Sequence, residues 1–152
     1  MNRLRQTALL LAVTVLVGCG VGKSRLEYIP VRGTVTLDGK PLSIKNVFLF
    51  PEQGVEGLGA KALTNKDGAF ELEAVVGGAT EVIKGAVAGK YLVVVSDFTI
   101  DPGTPEGLQQ PQPNTPAVRV PSVYSSADTT PLRLEVSPHM NDVVIELKTM
   151  GR

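Results

Sequence analysis

The chain is 152 residues long, with 15 basic and 15 acidic residues, 16 glycines, 11 prolines, one cysteine and no tryptophan. That length suits a single domain, and a formal net charge of +0 lacks the strongly basic balance expected of a nucleic-acid binder. A lone cysteine also excludes an internal disulfide.

Arg3 and Arg5 open the chain with a short positive region, and the uncharged run Thr7–Val17 follows. The run is shorter than the roughly 20 apolar residues that cross a bilayer core. It suits instead the apolar region, about 7–15 residues long, of a secretory signal peptide. Leu16-Val17-Gly18-Cys19 then resembles the lipobox of bacterial lipoproteins. The resemblance implies thioether lipidation of Cys19 and cleavage just before it, so that residues 1–18 leave and Cys19 becomes residue one. The chemistry fits: Gly18 is small enough for a narrow peptidase cleft, and the Cys19 thiol is the nucleophile that takes the diacylglyceryl group. One acyl chain holds a protein only marginally, whereas two or three make the attachment effectively permanent. Gly20, not aspartate, follows Cys19, which by the same resemblance favours the outer membrane. The implied partner is a membrane and the implied location the cell envelope. Removing Arg3 and Arg5 from 15 basic residues leaves 13 against 15 acidic, a net of −2.

Residues 19–29 read as a lipidated tether and residues 30–149 as the domain. Pro30 to Leu37 is the first clear strand, with Val31, Gly33, Val35 and Leu37 alternating with Arg32, Thr34 and Thr36. Asp38-Gly39 closes it with a tight hairpin turn. Ile44 to Phe50 is apolar on both faces apart from Lys45 and Asn46, which predicts a central strand ended by Pro51. Ala60 to Thr64 reads as an edge strand. Asn65-Lys66-Asp67-Gly68 is a turn, after which Phe70, Leu72 and Ala74 alternate with Glu71 and Glu73. Between Val75 and Gly89 the glycines at 77, 78, 85 and 89 argue for a loop. Tyr91 to Ser96 is the most hydrophobic strand, with Val93 and Val95 on one face and Leu92 and Val94 on the other, and is expected at the centre of the core.

Residues 101–121 hold six prolines, at 102, 105, 111, 113, 116 and 121, with Gln109, Gln110 and Gln112 between them. Such a run predicts extended polyproline-like backbone rather than ladder pairing. The strand pattern resumes at Leu132, Leu134 and Val136, turns at Pro138 to Asn141, and ends with Val143, Ile145 and Leu147 facing in. The expectation is an all-β, seven-stranded antiparallel β-sandwich with a long Pro-rich loop.

Several of these stretches together resemble transthyretin-like, carboxypeptidase-regulatory-like domains. Val31 to Leu42 resembles their opening V-x-G-x-V-x-x-D-G-x-P-L pattern, and Thr64 to Phe70 their T-[DN]-x-D-G-x-F hairpin. Gly85 to Tyr91 is similar to their G-x-P-G-x-Y lead into a core strand, with Ala88 where proline is usual. Val123 to Leu132 resembles the Y-x-x-x-x-x-x-P-L stretch of short bacterial lipoproteins of this type. The resemblance implies a prealbumin-like sandwich. It implies little about activity, since folds of this kind carry many functions.

Few residues offer site chemistry. The turns at Asp38-Gly39 and Asp67-Gly68 lack the further oxygens and distant bidentate Glu of an EF-hand loop, so their role is structural. His139 is the only histidine; no Gly-x-Ser-x-Gly elbow accompanies it, and one histidine without cysteine partners makes a poor zinc site. Transthyretin-fold hydrolases depend on several histidines and a C-terminal Tyr-Arg-Gly-Ser, whereas this chain ends Lys148-Thr149-Met150-Gly151-Arg152. No catalytic residue, metal or cofactor is implied. The expected function is a non-catalytic envelope module that spaces, scaffolds or adheres. A second reading is a module that binds an envelope protein or glycan through its end loops and the Pro-rich segment, and a hydrolase is the weakest of the three.

Overall fold

The computed structural model describes residues 26–78, 81–98, 118–140 and 142–149. Within them the chain is all-β, its one helical element being a short 3-10 turn at Ser122–Tyr124. The strands are β1 Tyr28–Ile29, β2 Arg32–Leu37, β3 Lys40–Pro41, β4 Lys45–Pro51, β5 Ala60–Leu63, β6 Ala69–Glu71, β7 Glu73–Ala74, β8 Ala86–Val87, β9 Gly89–Asp97, β10 Arg133–Val136 and β11 Val143–Leu147. One sheet has the order β10-β9-β4-β5-β7, a second contains β11-β2-β3 with β6 also on β2, and β1 pairs β8 in a two-stranded ribbon.

Two pairs of turn residues set these registers. Asp38 and Gly39 have φ of 50° and 79°, the two successive positive values that a two-residue hairpin between right-twisted strands requires. Leu37 accordingly pairs with Lys40 across the turn. In the second turn the Asn65 side-chain oxygen accepts from the N–H groups of Asp67 and Ala69 at 2.9 and 3.0 Å. Gly68, at φ 74°, completes it by donating to the Asn65 carbonyl at 3.1 Å.

The count of strands differs from seven, for local reasons. Phe70 to Ala74 reads as one alternating run but divides between the sheets: β6 pairs β2, while β7 pairs β5. Leu72 sits at the crossing, fully buried, with its N–H on the Val31 carbonyl and its carbonyl accepting from Gly85. The short strands β1, β3 and β8 are additional. The pairing is also not wholly antiparallel, because β11 runs parallel to β2, Ile145 opposite Val35.

Tyr28 and Ile29, which the sequence assigns to the tether, belong to the folded domain. They pair with Val87 and Ala86, and Ile29 is 9% exposed. Gly85 permits this, since a Cβ there would stand 2.2 Å from the Ile29 carbonyl oxygen. The strand expected at an edge, β5, lies between β4 and β7, although β7 covers only Ala60 and Lys61.

Alternation decides what is buried. Val31, Val35, Phe70, Ile145 and Leu147 of the second sheet and its flanks join Val47, Leu49, Tyr91, Val93, Val95 and Val136 of the five-stranded sheet in one hydrophobic cluster. Each such side chain contributes about 1.5–3 kcal/mol when removed from water. β9 lies between β10 and β4, and Val94, on its other face, is buried as well. The strand expected at the centre of the core is there.

Candidate functional site

Of the residues singled out in the sequence, Leu16, Val17, Gly18 and Cys19 lie outside the described residues, as do residues 101–117 of the Pro-rich insert. The chain reappears at Val118, and Val120 is already buried. Tyr124 follows on the 3-10 turn, buried, with its hydroxyl against the backbone of Lys148 at the end of β11.

The acidic turn residues are engaged in holding the fold. The Asp38 carboxylate accepts from the Thr149 N–H at 3.0 Å and from the Thr149 hydroxyl, and its own N–H donates to the Leu147 carbonyl. The Thr149 hydrogen bonds hold this carboxyl below the ordinary aspartate range. The turn thereby ties the C-terminal residues to β2. Asp67 is exposed and donates its N–H to Asn65. Gly39 and Gly68 supply backbone conformation, as expected of them.

Among the described residues one charged side chain is buried. Lys45 is 4% exposed, and its ammonium donates to Asp97 Oδ1 at 2.7 Å. The same oxygen accepts from the Val120 N–H at 3.3 Å. Beside it the Thr64 hydroxyl accepts from the Lys45 N–H and donates to the Leu42 carbonyl, both at 2.8 Å. These bonds hold a kink at Ile44, whose φ of 54° is unusual for a β-branched residue. The sequence marked Lys45 only as an exception in an apolar run; nothing local told that its partner stands 52 residues away.

Other polar groups are paired at the surface. Glu71 receives Lys84 at 2.6 Å and Arg32 at 2.9 Å, and both cations, Lys84 foremost, keep its carboxyl below the usual range. An open groove of about 390 Å³ is lined by Glu52, Lys90, Arg133, Leu134 and Glu135, and Arg133 pairs with Glu52 across it at 2.9 Å. His139 is exposed in the turn closed by the Met140 N–H on the Ser137 carbonyl. Among the described residues no three His, Cys, Asp or Glu side chains are grouped to hold a metal ion, and no helix is long and apolar enough to cross a membrane.

The end of the domain at which the chain enters has a different character. Here the loop 52–59 after β4 meets the loop after β7. Val75 donates its N–H to the Gly59 carbonyl at 2.9 Å, and Leu58 Cδ1 lies 3.8 Å from where a Cβ on Gly77 would stand. Val75, Val76 and Val82 line one open depression with Ala74, and Lys61, Glu73 and Glu81 line it too. Leu26 reaches the same loops, its Cδ1 3.8 Å from the Cβ position of Gly57. Leu58 is 62% exposed and Val82 67%. Sequence reading passed over these residues because they sit in two loops without period; the signal at Leu58, Val75 and Val76 is apolar side chains beside glycine.

Compared with known proteins, the chain matches no family model, no curated protein and no solved structure.

Proposed function

We propose that this chain is an exported lipoprotein, held at the outer membrane through acylated Cys19, whose β domain serves as a non-catalytic spacing or scaffolding module of the cell envelope. The observation that carries the reading is the run Leu16-Val17-Gly18-Cys19 at the end of an uncharged segment, with the chain's one cysteine at its close. The domain supports it in a second way. Asp38, Thr64, Tyr124 and Asp97 direct their polar atoms to backbone or to the side chains of Thr149 and Lys45, as a module built for rigidity would.

The fold supports a transthyretin-like sandwich as the form of that module. Two sheets share a hydrophobic cluster, and the V-x-G-x-V-x-x-D-G stretch forms β2 and its tight turn. A glycan- or peptide-binding role is the weaker reading, because two of the four charged side chains lining the groove, Glu52 and Arg133, are paired with each other.

Growth with an alkyne fatty acid tests the anchor: the wild-type protein takes the label and the Cys19→Ser protein does not. Equal labelling of both would remove Cys19 from the account.

A further inference from the structure

We propose that the end of the domain formed by Leu58, Val75, Val76 and Val82 is a lipid-contact surface, seated on the membrane to which Cys19 is attached. This deepens the reading above and rests on it. The four side chains are 62%, 38%, 36% and 67% exposed, and they are contiguous: Leu58 approaches Gly77, while Val75, Val76 and Val82 share one depression. Exposed apolar patches of this sort mark contact sites.

The occupant follows from the tether. Leu26 lies seven positions after Cys19, so at roughly 3.6 Å per step the fully extended chain spans no more than about 25 Å. Leu26 packs beside Gly57, next to Leu58, so the end that enters from the anchor is the end that bears the patch. The domain therefore faces the bilayer with this end whenever Cys19 is acylated. A second copy of the chain is a poorer occupant, because a stable protein interface takes roughly 20–30 residues from each side. Lys61, Glu73 and Glu81 line the same depression and carry more acid than base, so its affinity for lipid is apolar and survives high salt. Of the other exposed apolar residues among those described, Ile44, Leu63, Phe98 and Val118 lie around the opposite end, while Phe50 on β4 and Val144 on β11 alternate with buried core residues and face outward from their sheets.

The absence of tryptophan allows a direct test. Leu58→Trp, Val82→Trp and Lys66→Trp proteins are isolated from membranes with their native N-terminus and placed in phosphatidylcholine–phosphatidylethanolamine vesicles carrying a brominated lipid. Lys66, exposed in the far turn, serves as control. The surface predicts several-fold stronger quenching at positions 58 and 82 than at 66, unchanged by salt. Intact mass reports acylation in the same samples. Acylated protein with equal quenching at all three positions overturns the lipid-contact surface and leaves the anchor standing. Protein without acyl chains overturns both. Shielding of positions 58 and 82 that appears without lipid and rises with protein concentration assigns the patch to a second copy and also overturns it.

Discussion

The hydroxyl of Tyr124 bonds the backbone of Lys148 in both directions, donating to its carbonyl at 3.2 Å and accepting from its N–H at 3.1 Å. Tyr124 is buried, 5% exposed, and stands on the segment by which the chain returns from the Pro-rich insert. One phenol thus fastens that return to the end of the last strand. Tyr124→Phe keeps the ring and leaves two backbone groups unpaired, so it should cost about 1–2 kcal/mol. Urea denaturation should report a lower midpoint with an unchanged slope.

Lys45 and Asp97 should be strongly coupled. Asp97→Ala leaves a buried ammonium without its counter-ion and costs about 3 kcal/mol, whereas Lys45→Met replaces the pair by apolar packing at under about 1 kcal/mol. In the Lys45→Met background, Asp97→Ala should then cost only the Val120 N–H bond, about 1 kcal/mol or less. A double-mutant cycle by thermal or chemical denaturation measures the difference; additive effects would refute the pairing.

The Asp38 carboxyl should titrate below the ordinary aspartate range, chiefly because Thr149 donates its hydroxyl and N–H to it. A carboxyl depressed in the folded state contributes stability above its unfolded value, and that contribution is lost as the pH falls through the folded one. Carboxyl-carbon NMR should show the Asp38 midpoint moving upward in Thr149→Val protein, with the remaining carboxyls unmoved.

Two glycines should respond oppositely to substitution. A Cβ on Gly33 would stand 2.2 Å from the Val143 carbonyl oxygen and 2.8 Å from Phe70 Cζ, so Gly33→Ala must part β2 from β11 and should cost about 3 kcal/mol or abolish folding. At Gly39 nothing lies within 4 Å of that position and only the φ of +79° resists a side chain. Gly39→Asn should be tolerated at well under about 1 kcal/mol. Circular dichroism melts of the two proteins separate these outcomes.

The features legible in the sequence were those whose cause is local. Alternation in Val31–Leu37 and Val143–Leu147, the doubly positive turn at Asp38-Gly39, and the Asn65 turn each follow from a few neighbouring residues. The hydrophobic run from Tyr91 likewise placed β9 correctly. What stayed illegible depends on partners distant in sequence: the parallel seat of β11 on β2, the crossing at Leu72, and the recruitment of Tyr28–Ile29 by Ala86–Val87. The same division applies to the site. Cys19 can be read as a motif, while the apolar end is assembled from two loops that only the fold brings together.

Anchoring through Cys19 is tested most directly by the mass of the N-terminal peptide from protein extracted from its native membrane. The expected chain begins at Cys19 and carries a diacylglyceryl thioether, with or without a further acyl group on its amine. A peptide that retains residues 1–18, or one beginning elsewhere with an unmodified Cys19, would contradict it.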